Sequence, residues 1–354
     1  MPEVLSNPFS AISSVRRDVH HPSKPKSGYE WWYFDAISDD GRDAVVIIFL
    51  ENFIFSPRYN SATQSEKSDR RFPALAYFHY RDGKAVQRVI NEFRDDEFES
   101  SVDSPQCIIG DNRFEIIEDK GGLRYVIDLN LIEKGHRPFK AHFEFEVMEK
   151  DIFPANDIRD ASAHEWNLVA PRCRVYGYET MSERNGLSFR RDFRGIGYHD
   201  HNLDDRWLPD TVKTWDWGRV HLDEATIVFY DFTTIEGNRV TKLVTSRNGV
   251  GEICDARVDD KGVRFDVFGL SYPSETSYSC DGGLTLTVRN SRPVDSSFFY
   301  LRFVNDVTVT TPSGKTVGGR ALTERLVPHA LRFRWLDWLV DMRIGRDGRG
   351  AFLR

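Results

Sequence analysis

Alternation with a period of two runs through most of this chain and restricts it to antiparallel sheet. From Phe139 to Val147, Phe139, Ala141, Phe143, Phe145 and Val147 are apolar and the residues between them are polar, as expected of a strand with one face in a core. The same texture marks Ala44 to Leu50, Leu75 to Tyr80, Arg113 to Ile117 and Arg124 to Leu131. The pairs Asp40-Gly41, Asp82-Gly83, Gly121-Gly122 and Gly282-Gly283 fall between such runs at hairpin spacing. Helical periodicity is clear only near the end, where Leu331, Trp335, Leu336, Trp338, Leu339 and Met342 form one stripe with Arg332, Arg334, Arg343 and Arg346 around it.

A length of 354 residues exceeds one ordinary core and predicts two domains. An internal echo suggests where they begin: Glu30-Trp31-Trp32-Tyr33-Phe34, a turn and Ala44 to Asn52 parallel Trp215-Asp216-Trp217-Gly218-Arg219 and Ala225 to Phe232. The expected layout is an extended arm over residues 1–27, a first barrel over 28–190 and a second over 191–354 with a terminal amphipathic helix. Ser56 to Arg71 is polar, lacks alternation and reads as a long loop, a candidate lid.

Composition removes several function classes. The 48 basic and 55 acidic residues are interspersed and leave a net charge of −7, so nucleic acid is not an expected partner. Cys107, Cys173, Cys254 and Cys280 are far apart and form no CxxC, which predicts neither a zinc knuckle nor a dense disulfide framework and points to a reducing cytoplasm. Glu3, Arg16 and Arg17 without an apolar stretch do not read as a secretory signal, and no run of apolar residues is long enough to span a bilayer. Gly195-Ile196-Gly197 lacks the third glycine of a dinucleotide loop, and neither Gly-x-Ser-x-Gly nor His-Glu-x-x-His occurs. His199 and His201 alternate, but no third ligand is marked by spacing, so neither a metal nor any other cofactor is expected.

Two segments concentrate ionisable and aromatic residues: His164-Glu165-Trp166-Asn167-Leu168-Val169-Ala170-Pro171 and Gly195-Ile196-Gly197-Tyr198-His199-Asp200-His201-Asn202. On strands, His164 would share a face with Trp166, and Tyr198 with Asp200, while His199 and His201 point the other way. Read alone, Asp200 serves equally as a turn cap and His164 as a satisfied core histidine.

The ordered set His164-Glu165-Trp166, Ala170-Pro171-Arg172-Cys173-Arg174-Val175, Gly195 to Asn202 and Trp215-Asp216-Trp217-Gly218-Arg219 resembles the carotenoid 1,2-hydratase (hydroxyneurosporene synthase) family. Gly28 to Asp35, Phe298 to Arg302 and Leu322-Thr323-Glu324 extend the resemblance over nearly the whole chain. Two departures border the site: the stretch between Val175 and Gly195 is longer than the family pattern, and Leu203-Asp204-Asp205 follows Asn202. The resemblance implies an all-β pair of lipocalin-like antiparallel barrels and cofactor-free, acid-catalysed hydration of a C=C bond in an isoprenoid or carotenoid-like substrate. The alternatives are a terpenoid or polyene cyclase or isomerase on the same scaffold, and a carrier of apolar ligands.

Protonating an alkene needs an acid kept neutral by an apolar cavity. Asp200 is the candidate, with Tyr198 or His164 orienting its proton, His164 activating water and Trp166 facing the cation. Trp32, Trp215, Trp217, Asn202 and Glu30 are the candidate substrate contacts. Residues 331–343 either dock on their own barrel or meet the inner membrane from the cytoplasmic side.

Overall fold

The computed structural model describes residues 9–22, 27–65, 70–154, 164–182, 188–346 and 349–350. The chain divides into two compact units, Met1–His79 with Val86–Leu208 and Val340–Arg354, and Tyr80–Ala85 with Pro209–Leu339. Each is built on one curled, almost wholly antiparallel sheet.

Twelve strands in sequence lead through the first sheet. They are β1 (Phe9–Ile12), β2 (Tyr29–Ser38), β3 (Asp43–Leu50), β4 (Ala74–Arg81), β5 (Lys84–Glu92) and β6 (Phe98–Ser100), then β7 (Gln106–Ile109), β8 (Asn112–Asp119), β9 (Gly122–Ile132), β10 (Pro138–Glu149), β11 (His164–Ser182) and β12 (Ser188–Asp204). The second sheet comprises β13 (Val212–His221), β14 (Thr226–Thr234), β15 (Arg239–Arg247), β16 (Val250–Asp255), β17 (Arg257–Phe265), β18 (Ser271–Ser279), β19 (Thr285–Arg289), β20 (Asp295–Ser296), β21 (Tyr300–Thr310) and β22 (Thr316–Leu326). The short β23 (Arg343–Ile344) and β24 (Arg349–Gly350) return to the first sheet, where β23 runs parallel to β5.

Every strand expected from alternation forms. Phe139, Ala141, Phe143 and Phe145 point into the first core beside Trp32, Phe34, Phe114 and Tyr125. The hairpin turns also fall as expected: Gly41, Gly83, Gly122 and Gly283 all take positive φ, a conformation that L side chains rarely adopt. Both Trp-rich segments open antiparallel hairpins, β2 with β3 and β13 with β14.

Several expectations differ from the structure. A cut at residue 190 falls inside β12, which is bonded to β11 from Ser188 to Leu203 and to β2 from Gly195 to Asp204; the units change instead between Leu208 and Pro209. No composition shift announces this point, because one long strand carries straight through the site motif. The described part of the arm is docked rather than merely extended: β1 pairs parallel with β11, Arg17 Nη2 meets Glu165 Oε2 at 2.7 Å, and Asp18 is fully buried.

The expected loop after Ser56 contains helix α1 (Pro57–Gln64), which Ser56 Oγ caps by accepting from the backbone N–H groups of Arg58 and Tyr59; residues 66–69 lie outside the described part. The terminal amphipathic stripe forms two 3₁₀ segments, Pro328–Arg332 and Arg334–Leu339, instead of a continuous α-helix. Trp335 of that stripe is 72% exposed while Leu331 and Met342 are buried, so no single apolar face is covered to stabilise a longer helix. The Trp338 side chain lies outside the described residues. In the second unit Cys254, on β16, is joined to Cys280, just beyond β18, by a disulfide that the wide sequence spacing did not reveal.

Close approach of β12 to β2 depends on glycine. A Cβ on Gly197 would lie 2.5 Å from the Asp35 carbonyl oxygen and 2.6 Å from Val175 Cγ2. Gly197→Ala is therefore expected to lower unfolding stability by about 1–3 kcal/mol, measured by denaturant unfolding followed through tryptophan fluorescence. An unchanged midpoint would show that the two strands can separate without cost.

Candidate active site

Three adjacent strands build the site. In the antiparallel ladder between β12 and β2, Tyr198 lies opposite Asp35, Asp200 opposite Tyr33 and Asn202 opposite Trp31. On its other side Asn202 pairs with Trp166 of β11. Residues directly opposite share a face, so His164, Trp166, Tyr198, Asp200, Asn202, Tyr29, Trp31, Tyr33 and Asp35 all project to one side of the sheet. Beyond Asn167 the register of β11 slips twice before Cys173. Pro171, which offers no N–H to a ladder, lies inside this irregular stretch.

The Asp200 carboxyl is the hub. Its Oδ2 accepts from the Trp166 indole N–H at 2.9 Å and from the Tyr198 hydroxyl at 2.8 Å, and its Oδ1 accepts from Asn202 Nδ2 at 2.8 Å. Trp166 Nε1 also reaches the Tyr198 oxygen at 3.3 Å. Asn202 turns its carbonyl to His164 Nε2 at 3.2 Å, and His164 Nδ1 faces the Tyr29 hydroxyl at 3.1 Å. Because an amide oxygen only accepts, this geometry assigns the ring proton to Nε2 and makes Nδ1 the acceptor for Tyr29. All six residues of this network, from Asp200 to Tyr29, are buried. Burial pushes the Tyr198 phenol well above its usual value, reinforced by the neighbouring Asp200. Burial also lowers His164 to about 4, against a smaller opposing pull from Asp204.

The structure thus brings together Asp200, Tyr198, Trp166, His164 and Asn202, as their spacing anticipates. Glu30 and Trp32, read as substrate contacts, do not join them. They belong to the inward face of β2, where Trp32 stacks on His201 at 4.8 Å and His201 Nε2 meets Glu30 Oε1 at 2.8 Å. His199 also faces inward, stacked on Phe34 at 3.8 Å with Nε2 held by Asp18 at 3.0 Å. Trp215 and Trp217 lie on β13 of the second unit, both largely buried.

Sequence reasoning missed Tyr29, Trp31, Tyr33 and Phe9. Trp31 stacks on Tyr29 at 4.9 Å, Tyr33 meets Tyr198 edge-on at 6.5 Å, and Phe9 of β1 packs on Trp166 at 5.9 Å. The signal for the first three was present, since they alternate with Glu30 and Trp32; only the pairing with β12 decides which set faces Asp200.

The all-β scaffold agrees with the class that sequence comparison defines. The carotenoid hydratase (CrtC) family matches residues 123–352, and the chain belongs to that family of hydro-lyases. Among curated relatives, a hydroxyneurosporene dehydrogenase of Chlorobaculum tepidum is 26% identical over 95% of this chain and 92% of its own length. Acyclic carotenoid 1,2-hydratases of Thiocapsa roseopersicina and Rubrivivax gelatinosus are 29% and 28% identical over 64% and 58% of this chain, and the matches span 52% and 48% of their own lengths. In fold, the chain is similar to an AttH of Nitrosomonas europaea, with a TM-score of 0.61 at 15% identity over 90% of this chain and 97% of that one. It is also similar to CghA bound to Sch210972, with a TM-score of 0.56 at 11% identity over 89% and 94% of the two chains.

The lowered His164 value carries a pH signature. A histidine held neutral in the folded chain binds fewer protons than in the unfolded chain between pH 6.5 and about 4, so its contribution is fully present above 6.5 and is lost as pH falls toward 4. His164→Gln is expected to remove about one proton from the acid-side slope of stability in that window, read from unfolding free energies against pH. A slope equal to that of the unaltered chain would mean that His164 titrates normally.

Proposed function

We propose that this chain adds water across a C=C bond of an acyclic carotenoid or similar isoprenoid polyene, with Asp200 as the proton donor. The observation that carries the reading is the buried Asp200 carboxyl held by three donors on one aromatic face. Exclusion from water favours the neutral carboxyl before transfer, and the donors from Trp166, Tyr198 and Asn202 stabilise the carboxylate left behind. The proton passes from Asp200 to the less substituted alkene carbon, the π pair forms the new C–H bond, and a tertiary cation remains. Water attacks the cation, and the proton it sheds returns to Asp200, so the cycle consumes only alkene and water.

The other roles follow from position. The indole of Trp166 and the rings of Trp31, Tyr29 and Tyr33 supply electron-rich surface, each cation–aromatic contact contributing about 0.5–2 kcal/mol. His164, neutral and with both nitrogens engaged, fixes the Asn202 amide rather than acting as the base; water activation falls to the Asp200 carboxylate. Delivery of a lipid-dissolved substrate would use exposed Phe333 and Trp335 beside Arg332 and Arg334, a composition suited to a membrane surface. The Cys254–Cys280 disulfide weighs against a reducing compartment.

Incubation with a panel of acyclic carotenoids and polyprenyl compounds in H₂¹⁸O or D₂O, followed by mass analysis, tests the reading. Hydration places one ¹⁸O in the product and one deuterium on carbon. Deuterium without oxygen means isomerisation or cyclisation, loss of two hydrogens means dehydrogenation, and unchanged bound ligand means a carrier. Asp200→Asn is expected to lower turnover by about 10²–10⁴-fold while the unfolding midpoint is retained, because an amide keeps the size of the acid and pairs with a flipped Asn202. Full turnover in Asp200→Asn would remove the proposed acid.

A further inference from the structure

The inward face of β2 and β12 carries a second polar cluster, which alkene protonation does not use. Glu30 lies on β2 and His201 on β12, while His20 and His21 come from the arm that precedes β2. One oxygen of Glu30, Oε1, faces two imidazole nitrogens at once: His201 Nε2 at 2.8 Å and His21 Nδ1 at 3.1 Å. The ligand-type atoms of His21, Glu30 and His201 all lie within 4.8 Å of one another. Glu30 and His201 are fully buried, whereas the His21 side chain keeps 18% of its surface exposed.

We propose that His21 Nδ1, a Glu30 carboxylate oxygen and His201 Nε2 bind a divalent transition-metal ion of the zinc type, which clasps the arm to β2 and β12. Two imidazoles and a carboxylate are a donor set that zinc prefers. Tetrahedral bonds of about 2.0–2.2 Å separate neighbouring donors by about 3.3 Å, so the two spacings to Glu30 Oε1 need to open by only a few tenths of an ångström.

An independent observation points the same way. Behind His201, on its other nitrogen, stands the fully buried Asp18 carboxylate, with Oδ1 3.3 Å from Nδ1. A carboxylate behind a ligating imidazole fixes its tautomer and raises its basicity toward a metal. The ring is further held by stacking on Trp32 at an interplanar angle of 16°, and the His21 backbone N–H bonds both Glu30 oxygens at 3.2 and 3.3 Å. Asp18 Oδ1 and His201 Nδ1 are both buried and are not aligned as a hydrogen bond, so a small turn of the ring would complete that support, and the partly exposed His21 provides the way in.

The neighbouring triad of His20, Glu30 and Glu51 also has three ligand types together, but it is less suited. Glu51 Oε1 is already engaged by Arg71 Nε at 3.1 Å, and His20 Nε2 stands 3.8 Å from Glu30 Oε2. Because the proposed ion lies on the face opposite Asp200, it takes no part in proton transfer to substrate; its role is to hold the arm, and with it β1, against β11.

The test uses the full chain freed of metal by a chelator and then titrated with ZnCl₂ by calorimetry, with the thermal midpoint followed in parallel. One ion per chain and a raised midpoint are expected. His21→Gln and His201→Gln should each weaken binding by more than about 100-fold, and His20→Gln should change it far less. Because His21 is partly exposed on the arm, its variant is expected to fold, and Co²⁺ gives a second reading: a visible absorption of tetrahedral type in the unaltered chain that His21→Gln abolishes. Absence of stoichiometric binding, or equal affinity in the unaltered chain and both variants, would overturn the proposal whether or not the chain proves to be a hydratase.

Discussion

The antiparallel ladder between β2 and β12 decides which side chains of this protein can meet. With Tyr198 opposite Asp35 and Asn202 opposite Trp31, the two strands present one set of residues outward and another inward, with nothing but backbone between them. A slip of a single residue would exchange the sets completely, placing His199 and His201 beside Trp166 and driving Asp200 into the barrel core. Glycine at 195 and 197 lets the strands approach closely enough to hold that register, and the hydrogen bonds of each cluster reinforce it from both sides.

Two buried polar networks back to back are costly unless each group has a partner, and here most do. On one face the indole, phenol and amide converge on Asp200; on the other, Asp18 holds His199 and Tyr125 while Glu30 holds His21 and His201. The outward cluster is bordered by aromatic rings, which tolerate a passing positive charge without offering it a nucleophile. The inward cluster is rich in imidazole and carboxylate instead, a composition that suits a resident ion better than a hydrocarbon.

Much of this could be read from the sequence because strands advertise themselves. Alternation located β3, β4, β8, β9 and β10, and the same rule placed His164 with Trp166 and Tyr198 with Asp200. What failed were matters of pairing between distant segments. Glu30 and Trp32 attracted attention by type, yet Tyr29, Trp31 and Tyr33 share the site, since which half of an aromatic run faces the acid depends on a partner strand some 170 residues away. The terminal stripe shows the opposite failure: a clean helical period gave only 3₁₀ turns, because local pattern cannot sustain a helix whose apolar side stays partly in water. The arm looked featureless because its contribution is made through Asp18, His20 and His21 singly, with no periodicity to detect.

The return of β23 to the first sheet has a consequence for how the chain is made. Arg343 and Ile344 lie beside Asn91 and Glu92 of β5, and Arg346 reaches Glu97 and Asp111, although the whole of the second sheet is translated in between. Until that sheet has left the ribosome, the outer side of β5 near Asn91 and Glu92 has no β23 beside it, and an uncovered strand edge is where nascent chains join one another. The second sheet is in this sense an insertion that the first must wait for, and the short terminal strand acts less as a late ornament than as the lock that closes the earlier half.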